Sequence, residues 1–316
     1  MTGTLIQPTI IKNILTGVLL CILIIALIYI MPLIGVFAWM VLPLPVLFYR
    51  LKTGRNASGV IIVASLTMLI VFTQNFAFNT LYFGSLLMTG FFLGEFIEKH
   101  LSVEKIMLYT CFAVLGTCAA VLFIYSLTYA QGIDNLISNY ISRYHALSSQ
   151  LFSESAQLYP EMNVDRQMLE KASSLFVLIF PSIFINSYLT MVWLNIILIK
   201  KVLFKKGIIV KSIENLNQWK APDYLVFGVI ALSIFIFLPI YTLKIIAINC
   251  LIILMFVYFF QGIAVASFFF QKKRWPFALR FFFYTLIAIQ PLFMFLVIGF
   301  GLFDTWINFR KLETAM

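Results

Sequence analysis

The chain is poor in charge, in histidine and in paired cysteine. Charged residues make up 11% of its 316 positions and hydrophobic residues 62%. A soluble globular chain is about a quarter charged and about half apolar, so the deficit excludes a soluble domain. The four cysteines, Cys21, Cys111, Cys118 and Cys250, all fall inside apolar runs and form no Cys-x-x-Cys pair. They give no disulfide framework and are expected as buried free thiols. The two histidines, His100 and His145, fall in regions too far apart to share a metal. Neither a Gly-rich phosphate loop nor a His-Glu-x-x-His helix occurs, and nothing assembles a nucleophile, a base and an orienting acid. The reading is a non-enzyme with no metal and no cofactor.

A net charge of +10 raises the question of a nucleic-acid partner. No basic stretch has the length or the aromatic interleaving for that, and none is expected. The basic residues instead punctuate long uncharged runs, each near the roughly 20 residues that a helix needs to cross hydrocarbon. Backbone groups cannot stay unpaired in lipid, so such runs are helices. The short segments of alternating polarity that build a barrel are missing.

Nine runs follow one another: about 14–31, 33–48, 57–72, 76–97, 105–129, 174–199, 224–241, 245–270 and 281–303. They predict an all-α, polytopic transmembrane helical bundle of about 8–10 membrane helices, one integral membrane domain over 1–316. The first run has no small-residue cleavage pattern and is read as a retained span, not a signal peptide. Pro43 and Pro45 are expected to kink or fray the second helix near its exit. At the carboxyl end, Pro291 could break the last stretch into two legs, or the tail could lie along the interface. Nine simple spans would leave Arg310 and Lys311 outside, against the positive-inside rule.

Loop charge sets the expected orientation. With the amino terminus in the cytoplasm, the loops at 50–55, 98–105, 200–220 and 272–280 face inward, and with Lys12 they hold 16 of the 22 Lys and Arg residues. The location implied is a bacterial cytoplasmic (inner) membrane, with the lipid bilayer as first partner. The segment at 131–173 would face outward. There Ile133, Leu136, Ile137, Tyr140, Ile141, Tyr144, Leu147 and Leu151 recur at helical spacing and mark an amphipathic outer helix. It would act as a passive cap or as a lid over an outward-facing cavity. A second short helix, about 164–172, would lead into the sixth run.

Polar residues inside spans stand out because hydrocarbon penalises them. These are Asn79, Asn186, Asn195, Asn249, Gln261 and Gln290. Each could serve as an interhelical hydrogen bond, worth about 0.6 kcal/mol, or as the lining of a cavity for a small polar ligand. Asn186, Asn249 and Gln261 are the candidate ligand-binding residues. Asn249 and Gln261 are 12 residues apart, about 18 Å along a helix, so they cannot touch one small ligand together. Gly90 and Gly94 form a Gly-x-x-x-Gly pattern of the kind that lets helices approach closely. Asp304 has Lys311 seven residues on and could form a local pair with it, or serve as a coupling carboxylate. Asp304 and Arg310 are carried as coupling or structural residues.

Several patterns occur together: Arg50-x-x-x-Gly54, Pro181 before a lysine-rich exit, Trp219-x-x-Pro222, Asn249 followed by Gln261-Gly262, and an ending that runs from Gly299 to Lys311. Together they resemble the YybS-like family of predicted bacterial membrane proteins, a domain of unknown function. That family is distantly similar to the S components of energy-coupling-factor vitamin transporters. The resemblance implies a helical bundle that binds or transports a small molecule near its outer face, beside a cytosolic or membrane partner subunit. This chain has more spans than S components, and its first run lacks their Ala-x-x-x-Ala coupling motif. The alternative is a non-transporting membrane scaffold or assembly partner.

Overall fold

The computed structural model describes residues 8–73, 78–128, 138, 142, 150, 166–205, 213 and 215–311. Among them the chain forms α-helices and no strand. They are α1 (Pro8–Ile30), α2 (Pro32–Val41), α3 (Pro43–Thr53), α4 (Arg55–Thr73), α5 (Phe78–Glu98) and α6 (Val103–Thr128). There follow α7 (Arg166–Lys205), α8 (Leu225–Ile236), α9 (Tyr241–Lys272), α10 (Phe277–Ile289) and α11 (Pro291–Ile307). Six of these are long and apolar enough to cross a membrane: α1, α4, α5, α6, α7 and α9. The chain is therefore a polytopic helical membrane protein. The outer amphipathic helix, His145, and Gln74 with Asn75 lie outside the described residues, as does the side chain of Asn79.

Proline decides where several helices start. α2, α3 and α11 each carry it in the first turn, where its missing N–H would be unpaired anyway. The second apolar run is thereby divided into α2 and α3 at Pro43. The last run is divided at Gln290, held extended at φ −102° and ψ 110° before Pro291, the conformation that proline imposes on the residue before it. The two legs, α10 and α11, bend by 103°. Pro291 thus breaks the last stretch, one of the two outcomes open from sequence. α8 is only 12 residues long; it stops short of Pro239 and leaves the seventh run too short to span as one helix. α7 carries Pro181 inside its 40 residues, and the short helix expected at 164–172 is its first part from Arg166 on.

Two compact units are formed, Met1–Cys111 with Ile179–Met316, and Phe112–Leu178. The smaller holds the second half of α6 and the start of α7. Within the larger, an apolar core joins α1, α3, α4 and α5 to the later part of α7 through Cys21, Leu47, Ile61, Leu87, Met191 and Ile196. These side chains are fully or almost fully buried. A second, smaller cluster joins Ala221, Val226, Tyr258 and Ile298 from the α8, α9 and α11 region.

Gly90 and Gly94 lie on the face of α5 that meets α3. A Cβ at Gly90 would strike the Pro43 carbonyl oxygen and come within 3.0 Å of Val46, while one at Gly94 would strike the Arg50 side chain. Missing side chains let the two backbones meet and leave a channel for the Arg50 stem. α9 and α11 meet in the same way. A Cβ at Gly262 would strike the Val297 carbonyl oxygen, and one at Gly301 the Tyr258 carbonyl oxygen.

The loops that carry most of the basic charge come together at one end of the larger unit. Lys52 Nζ donates to Asn13 Oδ1 at 2.8 Å. Trp219 Nε1 donates to Glu104 Oε2 at 3.1 Å, and Asn217 Nδ2 to Gln271 Oε1 at 2.7 Å. Arg310 donates to the carbonyls of Asn217 and Trp219, both at 2.9 Å. The end of α11 therefore lies with the end of α9 and with the 215–220 loop. As a broken, returning pair, α10 and α11 bring Arg310 to the end of the larger unit where the described basic loops lie, not to the opposite end that nine simple spans would require.

Candidate functional site

α11 ends at Asn308, whose left-handed φ of 47° and ψ of 58° turn the chain back, its N–H bonding the Asp304 carbonyl at 3.1 Å. Asparagine tolerates that conformation better than most residues. The reversal swings Arg310 onto the helix it has just left. Arg310 Nη2 donates to Asp304 Oδ2 at 2.7 Å, with side-chain exposures of 0% and 1%. Gln261 Nε2, from the middle of α9, donates to the same Asp304 oxygen at 3.2 Å. Gln261 Oε1 accepts the Ala221 N–H at 3.2 Å. One buried ionised pair thus ties α9, α11 and the segment entering α8. Asp304 is paired with Arg310 and not with Lys311, which is exposed; the αL turn, not helical i+7 spacing, selects the partner.

Not every polar atom of this cluster is engaged. Among the described residues, Asp304 Oδ1, Arg310 Nε and the hydroxyl of the next residue, Thr305, are buried without a hydrogen-bond partner. Desolvated charge is costly, and the attraction within the pair offsets that cost only when further hydrogen bonds complete it. Two backbone carbonyls and one amide supply those bonds here. A buried ion pair at the end of an apolar helix is a place where function is looked for first.

Asn186 and Asn249 come together elsewhere, where α7 crosses α9. Asn249 Oδ1 accepts the Ser182 N–H at 3.1 Å, and its Nδ2 donates to the Ile245 carbonyl at 3.1 Å. Ser182 directly follows Pro181, at which the helical ladder is disturbed; Asn249 serves the backbone at that break. Asn186 Nδ2 reaches the Ile252 carbonyl at 3.4 Å, and Asn186 Oδ1 is buried without a partner. Gln261 does not join this pair but belongs to the Asp304 cluster. Asn195 donates to the Met40 carbonyl at 2.8 Å and ties α7 to α2.

A second ionic group was not anticipated. Arg50 passes along Gly94, and its Nη2 meets Glu95 and, at 2.8 Å, Glu98. Lys99 Nζ reaches Glu95 Oε1 at 3.3 Å. Arg50 also lies over the Phe91 ring, 4.8 Å from its centroid. The available signal was Arg50, the first of three basic residues at the exit of one apolar run, and Gly94-Glu95 at the exit of the next but one. Sequence reading also missed the docking of Trp219 on Glu104, since nothing in either loop announces a partner so distant in the chain.

Among the described residues no three His, Cys, Asp or Glu side chains are grouped to hold a metal. No curated protein and no solved structure matches the chain. A family model described as a predicted membrane protein of the DUF2232 type matches residues 18–305, almost the whole of a chain whose apolar helices and broken carboxyl-terminal pair have just been described. The chain belongs to the DUF2232 family of predicted membrane proteins.

Proposed function

We propose that this protein binds, and passes or holds, a small polar molecule within a bacterial cytoplasmic membrane, as an S-component-like, YybS-like membrane protein with a cytoplasmic amino terminus and no enzymatic activity. The observation that carries this reading is the α10–α11 pair, bent by 103° at Gln290–Pro291 and closed at its far end by the buried Asp304–Arg310 pair. Proline-interrupted apolar helices with buried charge are the construction used where membrane proteins hold polar cargo, because only a broken helix offers backbone polar groups inside hydrocarbon. In this reading Asn186, with its free buried Oδ1, is the ligand-facing amide. Gln261, Asp304 and Arg310 couple the broken pair to the basic loop face.

A second reading, a non-transporting scaffold or assembly partner, is favoured by a different observation. Asn249 and Gln261 have both ends of their amides on protein groups, as helix-packing residues do. Native mass spectrometry of the purified chain separates the two. The first expects a small-molecule adduct that weakens with Asn186→Leu and with Asp304→Asn. Absence of any adduct, with a partner subunit co-purifying in its place, would establish the scaffold and remove the ligand-binding reading.

A further inference from the structure

The turn between α9 and α10 concentrates charge of one sign. Lys272, Lys273 and Arg274 follow one another, and no Asp or Glu occurs between Asp223 and Asp304. All three are exposed, and none has a carboxylate partner among the described residues. Lys272 Nζ lies 5.9 Å from the centre of the Phe268 ring. The turn is held by aromatic packing. Phe270 stacks on Trp275 at 4.9 Å, and Phe283 closes on both rings at 5.8 Å and 5.3 Å. Trp275 N–H bonds the Phe270 carbonyl at 3.0 Å, and Arg280 Nε bonds the Trp275 carbonyl at 2.7 Å. Arg274 sits in the left-handed region at φ 51°, where its backbone reverses.

Beyond the turn, α10 presents phenyl rings that the described residues leave largely exposed. Phe277 is 81% exposed and Phe281 63%, their rings stacked at 6.3 Å. Three exposed cations on a held turn, directly before an exposed aromatic face, match the two ends of one kind of molecule, an anionic headgroup and an acyl chain. A soluble acidic protein would leave the phenyl face uncovered, and a zwitterionic lipid would leave the cations without a net opposite charge. We propose that the α9–α10 turn is a binding site for an anionic phospholipid, with its headgroup on Lys272, Lys273 and Arg274 and an acyl chain over Phe277 and Phe281. The site is independent of any small-molecule cargo.

The test uses the full chain in detergent, titrated with phosphatidylglycerol or phosphatidylcholine and read by native mass spectrometry. The parent should retain phosphatidylglycerol selectively. Replacing Lys272, Lys273 and Arg274 together by glutamine should weaken that retention by at least about tenfold, since each cation near a lipid surface contributes separately. Exchanging lysine for arginine and arginine for lysine at the three positions should preserve it. So should a control with glutamine at Lys99, Lys201 and Lys205. Full retention by the glutamine variant would overturn the proposal, as would equal loss in the control, displacement by inorganic phosphate alone, or no preference in the parent. If the triple variant does not fold, Lys273→Glu carries the same test, with loss of the preference expected and its persistence contrary.

Discussion

Arg50 and Arg310 are both buried arginines at the same end of the molecule, and they are held in opposite ways. Arg50 meets two carboxylates of one helix, and its partner Glu98 is 42% exposed. Water reaches Glu98 and screens its share of the contact, although the Arg50 side chain itself is buried. Arg310 meets one carboxylate, with both side chains essentially inaccessible, and takes two loop carbonyls as well. There the loss of one partner leaves a charge stranded without water. Both regions rest on glycine-mediated helix contact; the difference is that the carboxyl-terminal ion pair is dry on both sides, while the amino-terminal one has a carboxylate open to water.

The largest effect that would sharpen this contrast is at Asp304. Asp304→Ala should destabilise the protein by about 3–5 kcal/mol, the cost of stranding one member of a buried pair, measured by thermal or denaturant unfolding in micelles. A loss below about 1 kcal/mol, the range of exposed pairs, would place Arg310 with Arg50 and break the comparison. Next comes Gly94→Leu, which drives a side chain into the Arg50 stem. It should cost about 1–3 kcal/mol, as overpacking does. Gly299→Leu, where nothing stands within 4 Å, should leave the melting temperature nearly unchanged. Asn249→Leu removes a neutral contact to Ser182 and should cost only about 0.6 kcal/mol; a loss as large as that at Asp304 would give the α7–α9 crossing equal rank. Glu98→Gln is comparably small, expected at no more than about 0.5 kcal/mol, because Glu95 still holds Arg50.

The membrane helices were legible because hydropathy over twenty residues is a local property of the chain. The break at Pro291 was legible as an option, since proline restricts its own neighbours, but its direction was not. That direction depends on Gly262 and Gly301 allowing α9 and α11 to touch, which is a property of two helices together. Asp304 and Arg310 were both singled out, yet their pairing was not seen. Helical periodicity pointed to Lys311, whereas the αL residue Asn308 reverses the chain and presents Arg310. Asn186, Asn249 and Gln261 were grouped by residue type and depth; the structure divides them between a helix crossing and an ionic cluster. Tertiary partners of polar groups are set by contacts far apart in sequence, so their identity could be read and their partners could not.

α10 and α11 return the chain to the side of the basic loops, where Arg310 closes on Asp304 and the 217–219 backbone. Single cysteines at Ser149, Ser212 and Lys311, on a background without the four native cysteines, can be labelled in intact cells and in opened membranes with an impermeant maleimide. Lys311→Cys should behave as Ser212→Cys does, protected in cells and labelled once membranes are opened, while Ser149→Cys is labelled in cells. Labelling of Lys311→Cys together with Ser149→Cys would put the carboxyl end on the opposite face and contradict the returning pair.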